Sequence, residues 1–359
     1  MLRTPFVAVV LGGGLVQLEP AVECVFLEAA LRFSILYSLF FIPYSFFPIP
    51  CSLSLLPFHF PLSLPPLPLH LLLPLISAIV FVVAALLLKR ASDLGADVWR
   101  TTRYINYTTA LVAAPLWLIG GTIPPAGAWW QPPVAGVMFF GGQIFSLLAL
   151  SIGDVSVATP VLGVKILLVA VLTAVLIGDP VGGRLWTAAA LSTAAIALLN
   201  LSPGHPHRRV GTTILLAALG AGSYACFDVL VQKWSAGWGT GRLLPIAMAC
   251  AAVYSIPLRR FEAGVRTPAP DPALPFVAAG AVLLAVQGVM FITSVSQYRQ
   301  ATSANVLYSS RGLWSVVAVW AIGHWFANRE QHLGARVLVW RLVGAVLLMA
   351  AILIVVVSP

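Results

Sequence analysis

The chain has 359 residues, of which 60% are apolar and 9% are charged, and its mean hydropathy is +0.98. Because soluble domains carry about 25% charged residues, this composition excludes a water-soluble protein and predicts an all-α polytopic membrane protein. The formal net charge of +9 fits the basic cytoplasmic loops of such proteins, and no dense basic run with interleaved aromatic residues indicates a nucleic-acid partner.

The first 69 residues form a leader whose composition differs from the rest of the chain. From Phe33 to Ser77 there is no Gly, Ala, Val, Asp, Glu, Lys or Arg, and nine prolines occur between residues 43 and 74. Every amino acid with a G-initial codon is missing, which is typical of translation through a pyrimidine-rich non-coding stretch. We therefore expect a start site placed too early, with the working protein beginning near His70. The alternative is a targeting or anchor segment, although the prolines interrupt any helix there.

Ten apolar segments follow the leader, and each is close to the roughly 20 residues that a membrane-spanning helix needs. Turn-forming residues separate them, as at Gly178-Asp179-Pro180. The predicted spans cover residues 70–88, 104–121, 133–151, 157–177, 184–201, 211–232, 242–258, 272–296, 303–323 and 337–357.

An internal repeat relates the two halves of this region. Five spans lie at 70–201, before a linker at 202–210, and five lie at 211–359. A shift of 145 residues places Ser151 on Ser296 and Ile177-Gly178 on Ile322-Gly323. Because each half has an odd number of spans, the second copy is inverted, and inverted repeats are typical of secondary transporters with a binding site near the midplane. The alternative is chance similarity between apolar helices.

The loop charges predict an orientation in the membrane. Loops after odd-numbered spans carry 11 Lys and Arg residues, and loops after even-numbered spans carry at most 4. Since positive loops favour the cytoplasm, a ten-span protein would have both termini outside. A further span near residues 26–48 would return the N-terminus to the cytoplasm.

The fourth span of the first half carries a family resemblance. The run Gly153-Asp-Val-Ser-Val-Ala-Thr-Pro160 leads into a helix that closes with Ile177-Gly178-Asp179-Pro180. With the five-plus-five plan, residues 70–357 resemble the drug/metabolite transporter superfamily, in its ten-helix EamA-type branch. The second copy departs from the pattern, because Gly323 is followed by His324 rather than by an acid. The resemblance implies ATP-independent transport of small metabolites. It also implies cytoplasmic termini, against the loop charges.

Two basic residues are predicted near the middle of the membrane. Lys165 and Arg311 each lie about eight residues, or roughly 12 Å, into their spans. A basic residue at that depth costs about 2.5–3.5 kcal/mol, so both need an explanation. We expect a cationic pocket for an anionic group of the substrate, similar to that of phosphate-translocating members of the superfamily. The alternative is structural pairing with Asp228 or with backbone carbonyls.

Other polar residues in the spans complete the predicted site. Gln143, Gln287, Asn305 and Tyr308 are expected to bind substrate, or alternatively to join neighbouring helices by hydrogen bonds. Asp228 is predicted to be a proton-coupling site or a counter-ion to Lys165, with an interfacial carboxylate as the alternative.

These features together predict a secondary transporter of a small organic anion or zwitterion, working by alternating access. The alternatives are an exporter of neutral or cationic metabolites with structural basic residues, or a membrane-embedded enzyme acting on a lipid-linked substrate. We expect no enzyme activity and no cofactor, because the sequence has no Walker A loop, no HExxH helix and no nucleophile cluster. We expect no metal, because the His and Cys residues show no ligand spacing. The expected partners are a small-molecule substrate and the lipid bilayer, with a homodimer left open. The expected location is the cytoplasmic (inner) membrane of a bacterium.

Overall fold

The computed structural model describes residues 69–152, 155–178, 180–199, 210–262, 271–315 and 335–357. The predicted leader and linker lie outside these residues, except for residues 69 and 210 at their ends. The predicted start near His70 therefore stays a prediction. The predicted span at 303–323 is described as far as residue 315.

The described residues are helical and contain no strand, which confirms the predicted all-α class. The helices are α1 Leu69–Asp93, α2 Val98–Ala113, α3 Gln131–Ile152, α4 Val155–Gly163, α5 Lys165–Leu172, α6 Gly183–Leu199, α7 Val210–Trp238, α8 Thr240–Ser255, α9 Leu274–Tyr298, α10 Ala301–Tyr308 and α11 Ala335–Val357. Residues 311–315 are also helical.

Six helical stretches of the described chain are long and apolar enough to cross a membrane. They are Leu69–Asp93, Ala126–Leu150, Val157–Ile177, Val210–Trp238, Thr240–Phe261 and Leu274–Tyr298. Large apolar side chains also face outward, among them Val175 at 72% exposure and Val346 at 62%. Such surface is stable in lipid, where a helix satisfies its own backbone groups. The chain is therefore an integral membrane protein.

Two of the predicted spans have a different form in the structure. The span predicted at 104–121 begins earlier, at Val98, because the Asp97 side chain accepts a hydrogen bond from the Arg100 backbone amide and caps the helix. It continues as a 3₁₀ helix over Ala114–Ile119, where Pro115 cannot donate to the α-helical pattern. The span predicted as continuous at 157–177 is interrupted at Val164 and closes in a π-helical turn over Thr173–Ile177.

The helices pack as a set of reciprocal pairs. Helix α1 lies along α9, α3 lies along α7, and α6 lies along α11. Helix α2 contacts α8 and α9, while α3 contacts α8; α4 and α5 contact α7, and α10 contacts α1 and α5. Small residues permit these contacts: a Cβ added at Gly136 would fall 2.7 Å from the Ala247 carbonyl oxygen. Close approach over small residues is the usual way that membrane helices associate.

Candidate functional site

A buried ion pair joins α5 to α7. The Lys165 Nζ lies 2.8 Å from the Asp228 Oδ2, and the Asp228 side chain is only 2% exposed. Isolated charges in such surroundings are costly, and pairing offsets much of that cost. The structure thus pairs Asp228 with Lys165, which fits both the counter-ion interpretation of Asp228 and the structural-pairing alternative for Lys165.

Asn305 ties a third helix to this pair. Its Nδ2 donates to the Asp228 Oδ2 at 2.8 Å and to the Ala301 carbonyl oxygen at 2.9 Å. Both N–H groups of the Asn305 amide therefore already have acceptors within the protein. Asn305 positions Asp228, and its remaining polar atom for a ligand is the side-chain oxygen.

Gln287 and Tyr308 form a second polar group that joins α1, α9 and α10. The Tyr308 hydroxyl donates to the Gln287 Oε1 at 2.9 Å. The Ser77 hydroxyl is placed to donate to the Gln287 backbone oxygen at 2.8 Å and to its Oε1 at 3.1 Å. The Gln287 Nε2 donates to the Leu284 carbonyl oxygen at 3.1 Å. These bonds give Gln287 the helix-joining role that the sequence left open for it.

Arg311 stands beside this second group without a carboxylate partner among the described residues. Its guanidinium carbon is 4.8 Å from the ring centroids of both Phe81 and Tyr308. A cation over aromatic faces is stabilised by the ring quadrupoles, and the interaction leaves its positive charge uncompensated. The formal charges of Lys165 and Asp228 cancel, so the cluster that these two residues form with Arg311 carries one formal positive charge.

Both basic residues begin a helical piece after an interruption. The Val164 amide bonds to the Val161 carbonyl three residues back, and α5 then begins at Lys165. Likewise the Ser310 amide bonds to the Leu307 carbonyl three residues back, and the helix resumes at Arg311. A broken membrane helix presents the positive end of its second piece at the break. Each cation therefore lies where the backbone also favours an anion.

Sequence reasoning missed the aromatic residues around Lys165. The Lys165 Nζ lies 5.5 Å from the ring centroid of Tyr224 and 5.3 Å from that of Phe291. The Phe291 ring in turn lies 4.7 Å from Tyr308, which connects the surroundings of Lys165 to those of Arg311. Aromatic residues are common in membrane helices, so only the tertiary packing distinguishes Tyr224 and Phe291.

Gln143 is the predicted site residue that the structure leaves apart. No contact described in the structure joins it to the other six. Its Oε1 is buried without a hydrogen-bond partner in the described part of the chain. A buried acceptor of this kind costs about 1–3 kcal/mol unless a water or ligand satisfies it.

The two membrane ends of the bundle differ. A cavity of about 550 Å³ lies at the end where α1, α6 and α10 begin, here called the cavity end. Its wall includes Gln232, which is four residues, or about 6 Å along α7, from Asp228. Gln232 also accepts a hydrogen bond of 2.9 Å from the Ala301 amide. The cavity thus approaches the buried cluster from one side.

The opposite end, here called the ion-pair end, carries two ion pairs from α2 and a pocket of about 500 Å³ beside the 3₁₀ helix over Ile256–Phe261. Arg103 binds Glu262 through two bonds of 2.5 and 2.8 Å, and Arg100 binds Asp271. The Arg100 guanidinium holds the pKa of the Asp271 carboxyl below its usual range. Because the pKa of Asp271 is lowered on folding, its ionised form adds stability that is fully present at pH values above its unfolded pKa of about 3.9. The contact is lost only as the pH falls through the lowered value, so it persists at neutral pH.

Comparison with known proteins supports the fold and gives no information about function. No protein-family model matches the chain, and no curated protein matches it. A solved structure described only as "Crystal structure of protein" superposes with a TM-score of 0.63 at 18% sequence identity. The match covers 81% of this chain and 99% of that chain. The fold is therefore shared with another protein, and the class that fold and composition define is a polytopic helical membrane protein.

Proposed function

We propose that this chain is a secondary transporter of a small organic anion or zwitterion, with ten spans in two inverted repeats. The observation that carries the proposal is the uncompensated Arg311 beside the Lys165–Asp228 pair, inside a bundle of apolar helices. Each of these three charges is costly at membrane depth. A bundle with a purely structural role would be at least as stable with apolar residues in their place.

The reciprocal packing supports the inverted repeat. If α1, α2 and α3 correspond to α7, α8 and α9, the contact of α1 with α9 matches that of α7 with α3. The contact of α2 with α9 likewise matches that of α8 with α3, and α6 meets its own counterpart α11.

Local structure repeats as well. Helices α2 and α8 each have 16 residues and are followed by 3₁₀ helices of 6 residues with proline in second place, at Pro115 and Pro257. The breaks before Lys165 and Arg311 then fall at equivalent points of the fourth and ninth spans, where a transporter of this class binds its substrate.

The charges suggest how a substrate is held. The planar guanidinium of Arg311 can bind a carboxylate or phosphate through two parallel hydrogen bonds. The Asp228 carboxylate offers a position for the ammonium group of a zwitterion. A proton delivered to Asp228 would cancel its charge and release Lys165 to the anion, which makes Asp228 the coupling residue of the proposal.

Transport by the purified full chain in proteoliposomes tests the proposal. Carboxylates, phosphate esters, amino acids and organic cations are supplied in turn as labelled probes, with empty liposomes as the control. We expect saturable uptake of at least one anionic or zwitterionic class without ATP, and faster uptake when the internal pool allows exchange. Uptake that is the same in empty liposomes for every probe would refute the transporter.

The neutral or cationic exporter remains the second candidate for a specific reason. Lys165 has Asp228 as its partner, and Arg311 has two aromatic rings, so both cations have structural partners. Uptake confined to neutral or cationic probes would favour this candidate and contradict the anion assignment.

The ion pairs at the ion-pair end yield a prediction about alternating access. If this end must open during transport, the Arg103–Glu262 contact must break and re-form in each cycle. We expect Arg103→Glu to slow transport by about tenfold, because two charge-assisted bonds become a repulsive contact. Initial uptake rates in proteoliposomes measure the effect.

The double variant and an exposed arginine serve as controls for that prediction. Arg103→Glu combined with Glu262→Arg restores an attractive pair, so most of the rate should return. Arg259→Glu changes an exposed residue at the same end and should leave the rate within about twofold. Equal slowing by Arg103→Glu and Arg259→Glu would show that the pair has no role in the cycle.

A further inference from the structure

The cavity end carries a second concentration of positive charge, separate from Arg311. Two arginines, Arg184 and Arg299, contribute to the wall of the 550 Å³ cavity, together with His70. None of the described residues in that wall is acidic. Asp179, which precedes the wall residue Pro180 in sequence, lies outside the described residues. The described wall is thus basic.

Two helices begin at the same cavity. Helix α6 begins at Gly183 and α10 begins at Ala301, and both residues are in the wall. The first amides of a helix have no acceptor within it, and the helix dipole is positive there. The Ala301 amide already has the Gln232 side chain as its acceptor, but the dipoles of both helix starts add to the attraction that the two arginines exert on an anion.

Unsatisfied hydroxyl groups supply a second, independent indication of a ligand. Thr173 and Thr302 are both in the cavity wall, with exposures of 6% and 4%. Each Oγ1 is buried and has no hydrogen-bond partner in the described part of the protein. A buried hydroxyl that forms no bond is unfavourable, so a small movement of the wall that gives either hydroxyl an acceptor on a bound anion would recover free energy.

We propose that this cavity is a docking site for the carboxylate or phosphate group of a soluble anion, where Arg184 and Arg299 bind it before it reaches Arg311. This inference rests on the proposed function, because it deepens the route of the same substrate. The wall residue Gln232, about one helical turn from Asp228, marks the boundary between the docking site and the buried cluster.

Equilibrium binding of inorganic phosphate to the full chain in detergent tests the docking site. Radiolabelled phosphate is titrated at constant ionic strength, and both the number of sites and their dissociation constants are measured. We expect wild type to bind two phosphates, one at the docking site and one at Arg311. The double variant Arg184→Gln with Arg299→Gln should lose the first site or weaken it by at least about tenfold.

Two further variants separate this inference from the proposed function. Arg259→Gln with Arg260→Gln removes the same charge from the wall of the pocket at the other end, where the arginines are exposed like Arg184 and Arg299, and should retain both phosphates. Arg311→Gln should retain only the docking site. An unchanged result for the Arg184 and Arg299 variant overturns the docking site, whereas an unchanged result for Arg311→Gln overturns the proposed substrate site alone.

Lipid phosphate is the other source of the same chemistry, and a third measurement distinguishes it. The titration is repeated in nanodiscs of phosphatidylcholine with phosphatidylglycerol. A docking site for soluble anions should keep its difference between wild type and the Arg184 and Arg299 variant. Loss of that difference in nanodiscs, when it is present in detergent, would assign the cavity to lipid headgroups and overturn the proposal.

Discussion

Replacing Asp228 by alanine should lower the free energy of unfolding by about 3 kcal/mol, because Lys165, whose side chain is only 17% exposed, would lose its counter-charge. For a protein of this size, that loss lowers the melting temperature by on the order of 10 °C. Thermal unfolding in detergent measures the effect. The Asn305 amide would lose its acceptor in the same variant, which adds to the cost.

Two matched variants separate the stability of the pair from its role in transport. Lys165→Met with Asp228→Leu removes both charges and fills the space with apolar atoms, so stability should return to within about 1–2 kcal/mol of wild type. This double variant should not transport, because neither the coupling carboxylate nor the lysine is present. Recovery of transport in the double variant would contradict the role assigned to Asp228.

A surface ion pair is the control for burial. Asp271→Ala breaks the contact with Arg100, whose side chains are 28% and 34% exposed, and should cost at most about 1 kcal/mol. An Asp228→Ala cost as small as that of Asp271→Ala would show that the Lys165 pair is accessible to water rather than enclosed.

Replacing Arg311 by glutamine should abolish binding of anionic ligand at the buried cluster while leaving the fold intact. The guanidinium has no carboxylate partner in the described residues, so its removal orphans no opposite charge. In wild type, a transported anion at 100 times its dissociation constant should raise the free energy of unfolding by about 2.7 kcal/mol. Ligand-dependent thermal stabilisation, measured with the probe that proteoliposomes identify, should show this increment in wild type only.

Arg311→Lys tests the geometry of the same interaction. Lysine keeps the charge but cannot form two parallel bonds to a carboxylate, so affinity should fall by about tenfold rather than vanish. Arg242→Gln is the matched control, since that guanidinium also lies over an aromatic ring, 4.1 Å from the Trp117 centroid, on helix α8. Equal stabilisation of wild type, Arg311→Gln and Arg242→Gln would contradict the anion assignment.

The sequence alone predicted the apolar framework well, because span length depends on local composition. Helix α9 over Leu274–Tyr298 contains nearly all of the predicted span at 272–296. The start of α2 at Val98 was missed because Arg100 and Arg103 look like loop residues until their partners, 171 and 159 residues further along the chain, are known. Apolar periodicity carries no information about such long-range ion pairs.

The site was predictable as a set of unusual residues but not as an arrangement. Charge at membrane depth singled out Lys165, Asp228 and Arg311, since each is costly there. Which of the proposed roles Asp228 and Gln287 take depends on contacts between distant helices, such as the bond from Tyr308 to Gln287. The interruptions before Lys165 and Arg311 were not foreseen although Gly163 adjoins the first and Ser309, Ser310 and Gly312 adjoin the second, because glycine is common within membrane helices.

The reciprocal packing of the helices bears on the state that the structure does not display. In the proposed inverted repeat, the two halves differ slightly in shape, and the bundle has the 550 Å³ cavity at one end and the two ion pairs at the other. If the halves exchange shapes, the same coordinates describe the opposite conformation: α7 takes the path of α1, and α3 that of α9. The loop at Arg299 and the interruption at Val164 would then each take the form of the counterpart in the other half. The one structure therefore predicts the second conformation of the transport cycle as well as the first.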